Sequence, residues 1–379
     1  MAPAPGWRRS KLWVSMLSAA LASCSGSRGG VRPREAEADP APGSGPVAPA
    51  PAASPRPTMA ARSEASPTPR VPASPGDAPA PSPAPSEAPA PSASPSAAAI
   101  SFRGRNVDEL LNAMATAPVV KVLRKISRKA PIYQLDLGNG LEIAFKPQTH
   151  ERPVLWRNDV LAWELGRLLG IHDRVPPVTA RLVSHDLLKD PTEVLVHSKT
   201  TPGLALGSAA FWMPVLVDTH LTGKAGLDRW GRWLGIQFSV PTDPATASLA
   251  EQVSTLVVFD YLQANTDRFR NSENLMADEH GRIVFRDNNE GWKAAQLGDL
   301  STNTSLLRNV HRFSRSLVDN LRKADTPAFQ LRLQPWVDAG RPLFDQQRLD
   351  LFERRRVFLL SYIDQLIKIY GEAAVLPWP

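Results

Sequence analysis

Three polar side chains in one short stretch, Asp267, Asn274 and Asp287, have the types and order that phosphoryl transfer uses. One carboxylate can orient an attacking hydroxyl while an amide and a second carboxylate hold Mg²⁺ against nucleotide phosphates. The stretch runs from Val257 to Trp292, VVFDYLQANTDRFRNSENLMADEHGRIVFRDNNEGW. An apolar helical run ends in the polar turn Ala264 to Arg268. A short strand at Leu275 and Met276, a turn at His280 and Gly281, and a second strand from Ile283 to Phe285 follow. This layout puts Asp267 and Asn274 at one end of a β-hairpin with Asp287 beside them. On residue types alone a second reading stays open, because polar loops at strand ends are commonly solvated turns.

The elements that must position this hairpin can be followed on both sides of it. Asn106 to Ala115 reads as a short helix. Ile132 to Leu137 and Leu141 to Phe145 flank Gly138-Asn139-Gly140, a strong hairpin signal because the turn positions favour positive φ. A helix follows Pro153 and closes at Gly170, with Leu161, Leu165, Leu168 and Leu169 at helical spacing. Val178 to Val183 and Glu193 to His197 suggest further strands. Ala245 to Ala264 is strongly apolar at helical spacing and must be central. Leu317 to Lys323 and Gln346 to Tyr370 read as late helices, the last with Arg354, Arg355 and Arg356 on a solvent face.

FDYL-x-x-N-x-D-R, an Asn opening a strand, and a hydrophobic strand ending in D-N-x-x-G-aromatic together resemble the catalytic and metal-binding loops of atypical kinases. The nearest are secretory-pathway kinases of the Four-jointed and Golgi casein kinase type, with their bacterial relatives. The resemblance implies an α+β, two-lobed protein-kinase-like fold. A small β-rich N-lobe would cover about residues 100–200 and a larger helical C-lobe about 201–379. It assigns Asp267 as catalytic base and Asn274 and Asp287 as ligands of Mg²⁺ or Mn²⁺. Phe269 stands where the commoner D-R-H has His, and Asn274 lies further after Asp267 than usual, which keeps Asn271 as a second candidate ligand. Ala144-Phe145-Lys146-Pro147 resembles the strand carrying the lysine that contacts ATP phosphates. Asp159 falls where the family has the helix acid that orients this lysine, with Glu164 as the alternative. Five residues further on, Glu164 points roughly 140° away around a helix. Val175-Pro176-Pro177-Val178 matches the family's exit from that helix, and Pro202 to Pro214 would be the crossing between lobes.

Ahead of this domain, Arg8, Arg9 and Lys11 precede an apolar run from Leu12 to Ala22, short for a membrane span but suited to a signal-peptide core. The run ends Leu21-Ala22-Ser23-Cys24, which resembles a bacterial lipobox; that resemblance implies cleavage after residue 23, diacylation of Cys24, and attachment to the cell envelope. Ser25 favours the outer membrane by the common sorting rule. Cys24 is the single cysteine of the chain, so no internal disulfide can form. From residue 24 to 99 the sequence is Pro-, Ala- and Ser-rich, with about half of the chain's 37 prolines. Such a composition buries too little to offset its ordering entropy and reads as a disordered tether.

Some functions are disfavoured by composition. The formal net charge is +7, but Lys and Arg are dispersed, without the interleaved aromatic-basic patch expected for nucleic acid. The seven histidines have no metal-ligand spacing. Leu206-Gly207-Ser208-Ala209 is not a G-x-S-x-G nucleophile elbow. Three readings follow: an exported lipid-anchored kinase acting on a hydroxyl of a protein or glycan, a pseudokinase serving as a surface binding module, and a structural envelope lipoprotein.

Overall fold

The computed structural model describes residues 100–379 except 127–130, 139, 190–194, 197–200, 270–271 and 293–299. The leader, Cys24, the tether, Asn139, Asn271 and most of the strand expected at Glu193 to His197 therefore lie outside the described residues. Among those described, no helix is long and apolar enough to cross a membrane.

A two-stranded ribbon, β1 (Ser101–Phe102) and β2 (Arg105–Asn106), opens the domain. Asn106 caps α1 (Val107–Thr116), its side-chain oxygen accepting from the Asp108 and Glu109 N–H groups at 2.9 and 3.2 Å. Two donors that every helix start leaves open are thus satisfied. Next come β3 (Lys121–Lys125), β4 (Tyr133–Asp136), β5 (Glu142–Pro147), α2 (Leu155–Leu168), β6 (Val178–Ser184), α3 (His185–Leu188) and β7 (Leu204–Phe211). The five strands form one antiparallel sheet in the order β3-β4-β5-β7-β6. Alternation decides which faces are buried: Ile143 and Phe145 of β5 are buried, while Glu142, Ala144 and Lys146 are partly exposed. Helix α2 packs on β6 and β7 and is buried over most of its surface, including Trp156, Val160, Leu161, Trp163 and Leu165.

Strand β7 corrects two expectations. Pro202 to Pro214 reads as the crossing between lobes and residue 200 as the division, yet Leu204–Phe211 pairs with β5 on one side and β6 on the other. The sheet runs on through Phe211, and the crossing begins at Trp212. Gly207 marks a point of this strand that tolerates no side chain. A Cβ there would lie 2.4 Å from the Lys146 carbonyl oxygen and 2.7 Å from the Phe145 ring, so glycine lets β5 and β7 approach. Gly207→Ala is expected to destabilise the domain by about 1–3 kcal/mol, read as a lower urea midpoint. An unchanged midpoint would mean that the two strands part there at no cost.

The remainder is mainly helical. It comprises β8 (Val217–Asp218), α4 (Gly223–Leu234), α5 (Pro244–Leu262), β9 (Met276–Ala277), β10 (Ile283–Val284), α6 (Ser301–Leu307), α7 (Arg315–Lys323), α8 (Thr326–Asp338), α9 (Gln346–Tyr370) and α10 (Glu372–Val375). Asp243 caps α5, accepting from the Thr246 N–H at 2.8 Å, and Pro244 occupies its first turn. From Gln252 to Leu262 every residue of α5 is buried, so this helix is the axis of the lobe. The expected hairpin is present as β9 and β10, and β8, the first strand after the crossing, adds a third strand to it.

The arginine triplet of α9 is a further correction, because only Arg354 is exposed. Arg355 donates to the Leu262 carbonyl at 2.7 Å, and Arg356 to the Leu321 and Arg322 carbonyls at 3.1 and 3.4 Å. These carbonyls belong to the last turns of α5 and α7, where a helix runs out of its own donors and its dipole favours a cation.

Candidate active site

Lys146 lies on β5 directly across from Ser208 of β7. Its Nζ is 3.0 Å from Asp159 Oδ2 on α2 and 2.7 Å from Asp287 Oδ1, just beyond β10. Asp159 is 3% exposed and also accepts from the Ser208 hydroxyl at 3.2 Å and the Asn288 N–H at 3.0 Å. Three elements thereby converge on one carboxylate. Glu164, the alternative acid, is turned elsewhere: it pairs with Arg332 of α8 at 3.0 Å and accepts from Trp336 Nε1 at 3.3 Å. Its effect is to fasten α2 to α8.

Burial opposes the charge of Lys146, but Asp159 and Asp287 override it and hold the ammonium protonated well above the usual lysine range. Burial pushes the Asp159 carboxyl up against the pull of Lys146, and the charge of Asp287 adds to that push. Asp287 is held below the usual carboxylate range, first by Lys146. One ammonium thus faces two carboxylates, and the charges of Arg286 and Arg268 also act on Asp287.

Asp267 and Asn274 form the other half of the site. Asn274 Nδ2 donates to Asp267 Oδ2 at 2.9 Å, which leaves the amide oxygen of Asn274 for a cation. Asp267 is placed by the turn that ends α5. Ala264 takes φ 56°, the Asn265 side chain accepts from the Asp267 N–H at 3.2 Å, and Asn303 of α6 donates to the carbonyls of Asp260 and Asn265 at 3.0 and 2.8 Å. Phe269, in the position of the commoner His, packs on Trp230 of α4 with ring centroids 5.9 Å apart.

Several residues to which the sequence reading gave no role tie these halves together. Arg268 is 1% exposed and forks onto Asp260, Nε to Oδ2 and Nη2 to Oδ1, each at 3.1 Å. Its Nη2 also donates to Asn288 Oδ1 at 2.6 Å, where Gln263 Nε2 donates at 3.1 Å. Asn288 in turn donates to the Phe285 carbonyl at 2.8 Å. Asp287 itself takes φ 57°, a left-handed conformation that these bonds on either side of it hold in place. Asp260 carried a readable signal, since a lone acid in an apolar helical run must find a buried partner. Ser208 carried none.

The oxygen donors gathered here suit a hard divalent cation. A carboxylate from Asp287 and an amide oxygen from Asn274 would be too few by themselves to enclose Mg²⁺ or Mn²⁺, and further oxygens would have to come from a bound molecule or water. Among the described residues no group of three His, Cys, Asp or Glu could hold a metal ion by itself.

Solved structures share this arrangement of sheet and helices. One, a Golgi casein kinase, has a TM-score of 0.53 at 16% identity, over 71% of this chain and 78% of that one. Another, the Golgi casein kinase with Mn/ADP bound, gives 0.52 at 17% identity with the same coverage. A hydra Fam20 with sugar gives 0.53 at 16% identity, over 72% of this chain and 92% of that one. The fold is kinase-like, shared with these Golgi casein kinase and Fam20 structures. No family model and no curated protein matches the sequence. The expected α+β, two-lobed architecture, a sheet lobe followed by a helical one, is therefore what the chain adopts.

Proposed function

We propose that the chain is an exported, lipid-anchored kinase that moves the γ-phosphoryl group of ATP to a hydroxyl of a protein or glycan. The observation that carries this reading is the clustering of Lys146, Asp159 and Asp287 within hydrogen-bonding distance, beside the Asp267–Asn274 pair, on an atypical kinase fold. In this reading Lys146 binds the nucleotide phosphates and Asp159 orients it. Asn274 and Asp287 would hold Mg²⁺ or Mn²⁺, and that ion supplies neutralisation of phosphate charge. Asp267 accepts the proton of the acceptor hydroxyl as its oxygen bonds to the γ-phosphorus and the bond to the β-bridging oxygen breaks, releasing ADP.

The test is a titration of the wild-type domain with ATP, with and without Mn²⁺. Metal-dependent binding is expected; ATP binding that ignores both Mn²⁺ and EDTA would end the proposal.

Export and anchoring rest on the leader and on Leu21-Ala22-Ser23-Cys24. An acyl group on Cys24 would hold the domain to the envelope, in the outer membrane by the identity of Ser25, with residues 24–99 as a spacer. Cells fed a labelled fatty acid should label the wild type and not Cys24→Ala, and only the wild type should sediment with membranes. A labelled Cys24→Ala protein would refute the anchor.

A further inference from the structure

Asp267 and Asn274 are seven residues apart, a longer interval than the D-x-x-x-x-N of ordinary kinase catalytic loops. Added length between two residues that must meet loosens their meeting unless the segment is tied down. Here the segment ends in a 3₁₀ turn, Ser272–Asn274. Its last two carbonyls are taken by arginine side chains. Arg286 Nη2 donates to the Glu273 carbonyl at 2.5 Å, and Arg268 Nη1 to the Asn274 carbonyl at 3.3 Å. Arg268 Nη1 also donates to the carbonyl of Arg286 itself, which closes a loop of contacts among the turn, the end of the hairpin and the segment after Asp267.

Two guanidinium groups so close repel one another, and their proximity needs a reason. Burial and the nearby Arg268 both disfavour the charge of Arg286, while Asp287 and Glu273 oppose them. Arg268 is anchored independently by its fork onto Asp260. The side chain of Arg286 makes one hydrogen bond among the described residues, to the carbonyl beside Asn274.

Resting on the kinase reading above, we propose that Arg286, braced by Arg268, is a positioning residue for the cation site. It holds the Ser272–Asn274 turn so that Asn274 keeps its amide on Asp267 and offers its oxygen to Mg²⁺ or Mn²⁺. An arginine that only stapled the fold would act on stability and leave the metal requirement alone.

The test is a double-mutant cycle on Mn²⁺ affinity, measured at saturating ATP, with thermal unfolding in parallel. Arg286→Met keeps the aliphatic stem and removes the donors; it should raise the Mn²⁺ concentration for half-saturation about 10-fold or more, as loss of an outer-shell support does. Arg286→Lys, which retains a donor, should recover most of that loss. Arg286→Met with Asn274→Ala should be no weaker than Asn274→Ala alone, because both act through one ligand. Additive losses, or an unchanged Mn²⁺ requirement in Arg286→Met, would overturn the proposal while leaving the kinase reading intact. Should Arg286→Met not fold, Arg286→Lys must still show a measurable Mn²⁺ defect that vanishes in the Asn274→Ala background, or the proposal falls. If the wild type takes up no Mn²⁺ with ATP, the kinase reading fails and this inference with it.

Discussion

Asp267→Asn is expected to bind Mn²⁺ and ATP with close to wild-type affinity and to lose phosphotransfer, self-phosphorylation included, by a factor of about 10² or more. The substitution keeps the side-chain size and an oxygen for the 2.9 Å contact from Asn274, so the loop has no reason to rearrange. What it removes is the basicity that, in the proposed role, would take up the hydroxyl proton. A single-turnover measurement with a model hydroxyl acceptor separates the steps. Equal rates in Asp267→Asn and wild type would show that another group, or water, accepts the proton. Wild-type protein that binds Mn²⁺ and ATP yet transfers nothing would favour the pseudokinase reading instead.

How much of this could be read from the sequence depends on whether the cause of each feature is local. Alternation in Glu142 to Pro147 and the Gly138-Asn139-Gly140 turn are local signals, and β4 and β5 stand where those signals put them. The apolar run before Asp267 is local too, and α5 ends at Leu262, within two residues of the expected turn. Strand β7 is not legible locally because Gly207, Ser208, Ala209 and Ala210 have little strand preference of their own. Their place is dictated by β5 and β6, strands that arrive from elsewhere in the chain. The burial of Arg355 and Arg356 is hidden from the local sequence for the same reason: a basic triplet suggests solvent until the carbonyl ends of α5 and α7 are brought to it.

The site follows the same division. Motif order could nominate Lys146, Asp159 and Asp287, but that all three meet is a property of the packed sheet, α2 and the segment after β10. The supporting pair was half legible. Asp260 in an apolar run demands a partner, and Arg268 is only eight residues away, but nothing local says that the same guanidinium also reaches Asn288 and Asn274. Buried polar networks of this kind fix a geometry at the cost of desolvation, so they are expected where position matters more than stability.

Asp287→Ala should fail differently from Asp267→Asn, at binding and not at chemistry. On the proposed reading the cation would lose its charged ligand, and Mn²⁺-dependent ATP affinity should fall about 100-fold or more, beyond what an outer-shell loss usually costs. Stability should fall modestly as well. Lys146 first, then Arg286 and Arg268, hold the Asp287 carboxyl below the usual range, so its charge is favoured in the folded protein and that contribution is lost with the side chain. The left-handed φ of 57° at this position disfavours alanine in addition. Relief of the push of Asp287 on Asp159, which leaves a matched Lys146–Asp159 pair, offsets part of the loss. The expected result is a melting temperature a few degrees lower, with a cooperative transition kept and metal-dependent binding gone. A melting temperature lowered as a core truncation would lower it, with binding retained, would make Asp287 a structural partner of Lys146 and would remove the cation site from this reading.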